Sequence, residues 1–445
     1  MEFNKQAVKN KTKEILQSQK ENLDRLKTRF LQEKSEPPVK PLPINEIVFG
    51  TKFSGARWHV ILPEILKAEK NLFIYDDSTA LYTDTYKMLK NNGYEVFVLT
   101  DVGATDAFNP FDENADIGFL THLLLSDLND LKDEDFLIPK TAMYLIREFY
   151  DKDKQNIITL ANLLEREYKQ LKTGVSGMES AYEALLPMRS SSAFISGMQT
   201  IREIIPKKEE RMNSLERTID VWRQLAHNSV CVNILSSQNK DVSKFDIQKL
   251  ATSKTAIFIS FKNNKRAYDF ITKACIHHIL RAQLMATNQP FDNQDEVFMF
   301  TKPVEKMEDA FTLMNKENNS IMICCQDMEE YNLTKKLRST HEFLKGSILG
   351  TYDDKSEEYA NQFIGHLTNG SVKYLVHHLA GNQMLCVMDN EVNIKTKEDP
   401  TVYEKYEETR PAKAFGTFNR PPANVKKDDN WAIDGLDNLD DLPLI

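Results

Sequence analysis

The stretch that decides the fold is Gly-Thr-Lys-Phe-Ser-Gly-Ala-Arg at positions 50–57. It lies between an apolar run, Ile44 to Phe49, which predicts a buried strand, and a helical pattern from Trp58 to Lys67. A phosphate-binding loop has the pattern G-x-x-x-x-G-K-[ST] in the same strand-to-helix context. Gly50 and Gly55 have the spacing of that pattern. The stretch therefore predicts a nucleotide-binding type of fold.

The two positions that carry the chemistry of such a loop are altered. Ala56 stands where the lysine is required, and Arg57 stands where the serine or threonine is required. The lysine reaches the outer phosphates, and the hydroxyl that follows it holds magnesium. Neither task can be done by Ala56 or Arg57, so the sequence predicts a retained scaffold that has lost its nucleotide chemistry.

Composition limits the class of protein. The 445 residues, with 41% hydrophobic and 28% charged side chains, predict one large domain with an insertion, or two to three domains. The net charge of -9 argues against a broadly basic surface that binds nucleic acid without specificity. The N-terminus is charged, and the apolar runs fall short of the ~18 residues that span a bilayer. We therefore expect a cytoplasmic protein.

The cysteines and histidines do not form metal-ligand patterns. The odd number of cysteines and the lack of paired C-x-x-C spacing predict reduced, buried thiols and no metal site. The five cysteines are Cys231, Cys275, Cys324, Cys325 and Cys386. The pairs His277-His278 and His377-His378 are adjacent in sequence, so on a helix their side chains point to different faces and cannot hold one ion together.

Periodicity divides the chain into segments. Residues 1–43 read as a polar helical leader that ends in a proline-rich linker, and residues 413–445 as an acidic tail whose composition favours disorder. Strand and helix patterns alternate in 44–113 and again in 230–412, which predicts an α/β domain with a mostly parallel sheet. Residues 114–229 carry helical patterns only and predict an inserted all-helical domain.

Individual elements follow from the same periodicity. The predicted strands are Asn71–Tyr75, Glu95–Thr100, Val230–Leu235, Thr255–Phe261, Glu296–Phe300, Ser320–Cys325 and Gly346–Thr351, with a hairpin over Met384–Met388 and Glu391–Ile394. The predicted helices are Leu81–Lys90, which Gly93 ends, Leu120–Leu131, Lys140–Tyr150, Ile158–Leu171, Glu209–Leu225, Ala267–Thr287, Val304–Asn315 and Glu357–Leu367.

Several stretches, taken in order, resemble the cytoplasmic part of the type IV coupling proteins. These are the TraG/TraD-type DNA translocation ATPases of conjugation and type IV secretion. The most specific likeness is Gly93-Tyr94-Glu95-Val96 followed by Phe108-Asn109-Pro110-Phe111. The others are Val48–Leu66, Phe73–Asp76, Lys254–Ile259, Ile321–Gln326 and Asn382–Tyr406. The resemblance runs from about residue 44 to 407 and implies a RecA-like P-loop NTPase fold with an inserted all-helical domain.

The chain departs from the family pattern where the chemistry lies. In the family the strand matching Glu296–Phe300 ends in Asp-Glu, the pair that holds the metal and activates water, but here Thr301-Lys302 follows. From the sequence we also expect no counterpart of the family's membrane-spanning N-terminal helices. Removing one group that stabilises transition-state charge costs about 3–4 kcal/mol. Loss of the lysine, the hydroxyl, the acid and the base together predicts a pseudo-ATPase with no catalytic residues.

The resemblance also implies a vestigial nucleotide pocket. Its residues are Gly50, Gly55, Arg57, Asp76, Thr301, Lys302 and Gln326. For each there is a simpler interpretation: the glycines permit a tight turn, Thr301-Lys302 is an ordinary strand end, and Asp76 and Gln326 are capping or turn residues. We expect no cofactor and no metal, with ATP and magnesium left open.

The expected function is that of an adaptor or inactive subunit in a conjugation or type IV secretion system. Its expected partners are an active coupling ATPase and relaxosome or effector proteins, with DNA contacted only indirectly and the membrane reached only through partners. The helical insertion and the acidic tail from Asp428 to Ile445 are the candidate docking surfaces. Two alternatives stay open: a working DNA-translocating ATPase in which Lys52 or Lys302 replaces the lysine, and a nucleotide sensor that binds through Arg57 without hydrolysis.

Overall fold

The computed structural model describes residues 45–50, 55–111, 115–126, 128–178, 207–236, 253–262, 266–286, 296–304, 319–338, 345–349, 383–388, 391–403 and 405–406. All of them belong to one compact unit, Ile44–Ile445. The predicted leader 1–43, the tail 413–445, the helix Glu357–Leu367 and nearly all of the helix Val304–Asn315 lie outside these residues. The predicted domain limits stay predictions.

The described strands form one mostly parallel sheet. They are β1 (Glu46–Phe49), β2 (Asn71–Tyr75), β3 (Glu95–Thr100), β4 (Thr255–Ser260), β5 (Glu296–Phe300), β6 (Ser320–Cys325), β7 (Lys345–Leu349), β8 (Gln383–Met388) and β9 (Glu391–Thr396). Their order in the sheet is β3-β4-β2-β5-β6-β1-β7-β8-β9. All neighbours from β3 to β7 are parallel, and β8 and β9 continue the sheet as an antiparallel hairpin. The predicted fold class and the late hairpin are confirmed.

Helices connect the strands and cover the sheet. A π-helical turn (Arg57–Ile61) leads into α1 (Leu62–Lys67). The other described α-helices are α2 (Ala80–Asn91), α3 (Ile117–Leu125), α4 (Asp133–Phe149), α5 (Ile157–Lys172), α6 (Lys208–His227), α7 (Ser229–Leu235), α8 (Arg266–Ala286) and α9 (Met328–Arg338). Short 3-10 turns lie at Lys152–Lys154 and Pro400–Val402. As predicted, Gly93 follows α2 with a left-handed backbone (φ +81°) and donates its N–H to the Lys90 carbonyl.

Two hydrophobic clusters cover the two faces of the sheet. Successive strand residues point to opposite faces, so Ile47 and Phe49 of β1 join one cluster and Val48 joins the other. In β6, Cys325 belongs to the first cluster and Cys324 to the second, and both are buried as predicted. The continuous apolar strands are those expected of a parallel sheet that helices cover on both sides.

The described residues from 115 to 178 and from 207 to 236 contain helices and no strand. Their apolar faces belong to the same cluster as Ile47 and Phe49, so this helical part packs on one face of the sheet. Polar side-chain contacts join its helices. Arg217 of α6 donates from Nε and Nη2 to the two oxygens of Asp135 in α4, at 3.0 and 2.8 Å. His227 of α6 lies 2.8 Å from Glu165 of α5.

The predicted strand Val230–Leu235 is wrong, because these residues form helix α7. The side-chain oxygen of Asn228 accepts hydrogen bonds from the backbone N–H groups of Val230 and Cys231 and starts the helix. Periodicity alone does not separate a short apolar strand from a buried helical turn. In the part of the chain that the structure describes, no helix has the length and apolar character needed to cross a membrane.

Candidate functional site

Ligands of open α/β sheets bind outside the carboxyl ends of the parallel strands. In this sheet Phe49 of β1 pairs with Cys325 of β6, and Tyr75 of β2 pairs with Phe300 of β5. Phe300 in turn pairs with Ile323 of β6, so the four strands end within two residues of one another. The residues that follow these strands therefore lie along one edge. The predicted pocket residues come from this edge and from the turn before α1.

The two glycines of the loop play different roles. Gly50 donates its N–H to the Cys325 carbonyl (3.0 Å) and so extends the pairing of β1 with β6. Gly55 has φ +79°, a left-handed conformation that favours glycine. Its carbonyl accepts the N–H of His59 (2.8 Å), and a Cβ atom at this position would lie 2.7 Å from Cδ2 of His59. Gly55 is thus required by the backbone and by packing, whereas residues 51–54, including Lys52, lie outside the described chain.

Arg57 is engaged by two carboxylates at the end of β2. Its Nη2 atom lies 3.1 Å from Oδ1 of Asp76 and also donates to Oδ1 of Asp77. Strands β5 and β6 lie between β1 and β2. With about 4.8 Å between neighbouring strands, the ends of β1 and β2 are about 14 Å apart. The ion pair therefore joins the helix that follows β1 to the end of β2, across the edge where the predicted pocket lies.

Asp76 is nearly fully buried, and its carboxylate has several partners. It accepts hydrogen bonds from the N–H of Leu81 (3.1 Å), in the first turn of α2, and from the N–H of Ser78 (3.3 Å). Burial raises the pKa of Asp76 above its ordinary value, although Arg57 and the Leu81 N–H oppose that rise. Asp76 thus serves both as a cap of α2 and as the anion for Arg57.

Thr301 and Lys302 follow β5 and lie beside this ion pair. The Thr301 N–H donates to the Tyr75 carbonyl (2.9 Å), and its Oγ1 accepts the N–H of Asp77 (3.3 Å). Its side chain is buried, and a hydroxyl there supplies no metal-binding charge. The Nζ atom of Lys302 lies 5.9 Å from the centroid of the Tyr75 ring. The structure therefore brings together Arg57, Asp76 and Thr301 and places Lys302 beside them.

Gln326 follows β6 and is held by its backbone. Its N–H donates to Oε2 of Glu330 (2.6 Å), in the first turn of α9. The pKa of Glu330 is raised above its ordinary value. Burial is the largest cause, and it outweighs the Gln326 N–H and the positive charge of Lys302, which both lower the pKa. Gln326 thus lies at the same strand edge as Lys302 and Glu330, in a turn that Glu330 closes.

The turn before α1 also contacts the C-terminal part of the described chain. We call residues 397–403, 405 and 406 the C-terminal strap. Nδ1 of His59 lies 2.7 Å from the Glu398 carbonyl oxygen, and the Trp58 ring meets the Tyr406 ring edge to face at 5.6 Å. Lys405 donates to the Lys67 carbonyl (2.9 Å) at the end of α1. The strap thus fastens the helix that follows the glycine loop.

Asp77, Glu330 and the strap lie at this edge of the sheet but were not predicted as parts of the site. Asp77 had a detectable signal, since it follows Asp76 directly and supplies a second carboxylate beside Arg57. The His59–Glu398 contact joins residues 339 positions apart, and no local pattern predicts it. The described histidines predicted not to bind metal pack on aromatic rings: His277 on Phe119 at 4.1 Å and His278 on Phe108 at 5.4 Å. His377 and His378 lie outside the described residues.

The fold is similar to that of solved structures. The unbound monoclinic form of the bacterial conjugative coupling protein TrwBΔN70 matches with a TM-score of 0.50 and 13% sequence identity, over 81% of this chain and 86% of that one. The chain shares the TrwB fold. The resemblance predicted from the motifs is confirmed at the level of the fold.

Two further structures of the plasmid coupling protein TrwB are also similar. The complex with a non-hydrolysable GTP analogue has a TM-score of 0.48 and 12% identity, over 80% of this chain and 85% of that one. The complex with a non-hydrolysable ATP analogue has a TM-score of 0.49 and 13% identity, over 80% of this chain and 86% of that one. No protein-family model and no curated protein matches the sequence.

Proposed function

We propose that this chain is a catalytically degenerate, coupling-protein-like component of a conjugation or type IV secretion system. It acts as an adaptor or as an inactive subunit beside an active coupling ATPase. The TrwB fold supports the conjugation setting. The observation that carries the proposal is the ion pair of Arg57 with Asp76 and Asp77, because it engages the Arg57 guanidinium with carboxylates of the chain itself.

The residues that replace the catalytic groups support the same proposal. Phosphoryl transfer depends on positioned charges: a lysine, a metal and the carboxylate that holds it. Ala56 carries no charge, the Arg57 charge is neutralised by aspartates, and Thr301 offers a buried hydroxyl that accepts a backbone N–H. A site of this composition stabilises its own fold instead of a transferring phosphoryl group.

The helical part is the proposed docking surface. On α6 the exposed face alternates acidic and basic side chains, among them Glu210, Glu216, Asp220 and Arg223, while Trp222 and Leu225 of the same helix are buried. Mixed charges of this kind set the register and the specificity of an encounter rather than its bulk affinity. We assign this face to protein partners of the conjugation system, with DNA contacted through them. The proposed location is cytoplasmic, with the membrane reached through partners.

The test combines the purified chain with the purified active coupling ATPase of the same conjugation system. Light scattering should detect a mixed assembly, and the chain alone should show no magnesium-dependent ATP turnover. Reversing the charges of Glu216 and Arg223 should weaken the assembly, while the same changes at the exposed residues Glu69 and Lys87, outside the helical part, should not. ATP turnover by the chain alone that Lys302→Ala abolishes would instead identify a working motor.

A further inference from the structure

The two edges of the sheet differ. At one edge, the loop that follows β3 covers the outer side of that strand. The Asp106 N–H donates to the Val98 carbonyl (2.7 Å), and Oδ2 of Asp106 accepts the Val98 N–H (2.7 Å). Oγ1 of Thr105 accepts the Thr100 N–H (3.2 Å). The backbone groups of Val98 and Thr100 are therefore already engaged, and this edge is closed to a further strand.

Strand β9 forms the opposite edge of the sheet. It pairs with β8 along its whole length of six residues. Among the described residues, no further strand pairs with the outer side of β9. Ile394 is 46% exposed, and Lys395 and Thr396 are exposed as well. An edge strand of this kind presents backbone N–H and C=O groups with which the strand of another molecule can pair.

The sequence of β9 is complementary to itself in an antiparallel arrangement. It reads Glu-Val-Asn-Ile-Lys-Thr over positions 391–396. When two copies run antiparallel about a two-fold axis at Asn393, position 391 of each copy lies opposite position 395 of the other, so glutamate and lysine meet twice. Position 392 lies opposite position 394, so valine and isoleucine also meet twice. Opposite charges directly across two antiparallel strands stabilise their pairing.

The backbone of β9 permits this register. In an antiparallel pair, the N–H and C=O groups of alternate residues point towards the neighbouring strand, and those of the residues between them point away from it. Positions 392 and 394 are two residues apart, so their backbone groups point to the same side, as do those of positions 391 and 395. An axis at Asn393 therefore brings outward backbone groups of one copy against outward groups of the other.

The charged positions of β9 lie opposite methionines in the hairpin of the chain itself. Met388 lies opposite Glu391, and Met384 lies opposite Lys395. A lysine on an edge strand opposes pairing with other strands, but it favours a strand that brings a glutamate opposite it. The charges of β9 therefore select a second copy of β9 rather than an arbitrary strand.

We propose that two copies of this chain pair through β9, antiparallel and about a two-fold axis at Asn393. Each copy uses the same surface, and the sheet continues from one copy into the other. Glu391 of each copy pairs with Lys395 of the other. This inference does not depend on the proposed function, since it holds whether or not the chain binds a nucleotide or an active coupling ATPase.

Charge reversal in β9 tests the proposal on the full chain. Sedimentation equilibrium over a series of protein concentrations should show a monomer–dimer equilibrium for the unmodified chain. Glu391→Lys and Lys395→Glu, made separately, each place like charges opposite one another twice in the dimer. Each should therefore raise the Kd of the dimer by about tenfold or more. The control Lys87→Glu, at an exposed residue of α2, should leave the Kd unchanged.

Mixing the two variants distinguishes this register from other contacts between copies. In a dimer of Glu391→Lys with Lys395→Glu, both pairs of opposed positions again carry opposite charges, so an equimolar mixture should form dimers with a Kd close to that of the unmodified chain. Thermal unfolding of each variant alone establishes that it is folded. A chain that stays monomeric at every concentration, single reversals that leave the Kd unchanged, or a mixture of folded variants that fails to dimerise would each overturn the proposal.

Discussion

Nη2 of Arg57 lies 3.1 Å from Oδ1 of Asp76, a carboxylate whose side chain is only 1% exposed. Arg57 stands at the loop position of the magnesium-binding hydroxyl, and Asp76 follows the strand that the resemblance aligns with the family. An internal ion pair joins the two positions. An arginine held in this way has its charge balanced by carboxylates of its own chain.

Removing the cation should destabilise the fold. Arg57→Ala leaves Asp76 buried with only its hydrogen bonds from Ser78 and Leu81, so we expect a loss of about 1–3 kcal/mol in the free energy of unfolding. We expect no larger loss of unfolding free energy, because the Arg57 side chain is 35% exposed and solvent screens part of its interaction with Asp76. Urea unfolding of the purified chain measures it.

Arg223→Ala is the matched control for Arg57→Ala. Arg223 lies 3.7 Å from Glu165 and is 45% exposed, so its loss should cost less than about 1 kcal/mol. If Arg57→Ala proves no more destabilising than Arg223→Ala, the Arg57–Asp76 pair does not stabilise the fold as described.

Gly55 should resist substitution for two separable reasons. Gly55→Ala introduces a left-handed alanine, at about 1–2 kcal/mol, and also a Cβ atom 2.7 Å from His59. Gly103→Ala has the same φ of +79° and no neighbour within 4 Å of the added Cβ, so it measures the backbone contribution alone. We expect Gly55→Ala to be the more destabilising, and thermal unfolding measures both.

The excess should vanish when His59 is shortened. In a His59→Ala background, Gly55→Ala and Gly103→Ala should cost the same free energy of unfolding. A persistent excess at Gly55 would mean that the steric contact with His59 is not its cause.

Single strands and helices could be predicted from the sequence wherever the residues of the element itself identify it. Runs such as Phe73–Tyr75 and Val96–Leu99 are apolar throughout because both faces of the sheet are covered, and this identifies them as strands. Their order in the sheet depends on contacts distant in sequence, which local periodicity does not contain. The error at Val230–Leu235 has another cause. Asn228 is a local N-cap that periodicity does not register, and with it the apolar run forms a helix.

The site was predictable in part for the same reason. The spacing of Gly50 and Gly55 and the change at Arg57 are local and visible in the sequence. The pairing of Arg57 with Asp77 and of His59 with the Glu398 carbonyl depends on the closed fold. The position of Thr301 and Lys302 depends on the pairing of β5 with β2, which the local sequence does not contain.

Acid should weaken the helical part through Asp135. Burial alone would raise the pKa of Asp135, but hydrogen bonds from Arg217 and the Lys132 N–H outweigh it and hold the pKa below its usual value of 3.8. The folded state then binds this proton less tightly than the unfolded state, so the stabilisation is complete above pH 3.8 and is lost as the pH falls through the lower folded pKa.

Asp135→Asn is the variant that tests this sign. The difference in unfolding free energy between wild type and Asp135→Asn should be largest near neutral pH and should shrink as the pH falls below the usual aspartate range. The same comparison for exposed Asp220→Asn should show little pH dependence. A difference for Asp135→Asn that grows with acid would contradict the assigned direction of the shift.

Restoring the lost groups should restore binding. Ala56→Lys with Arg57→Thr returns the lysine and the hydroxyl to the loop and releases Asp76 and Asp77 from their ion pair. Adding Thr301→Asp and Lys302→Glu returns the acid and the base after β5. We expect the fourfold variant to bind ATP in the presence of magnesium, measured by the shift of its thermal unfolding temperature, because the backbone scaffold is retained.

The double variant Thr301→Asp with Lys302→Glu is its control and should not bind ATP, because the loop still lacks its lysine and hydroxyl. Failure of the fourfold variant to bind, while it stays folded, would argue that the loop no longer has a phosphate-binding shape.

The most direct test of the central claim is calorimetric titration of the unmodified full chain with ATP, with and without magnesium. An Arg57 cation held by Asp76 and Asp77 and a loop without its lysine predict no binding heat in either condition. Saturable, magnesium-dependent binding of ATP at micromolar concentrations would contradict the claim and show that the loop still works.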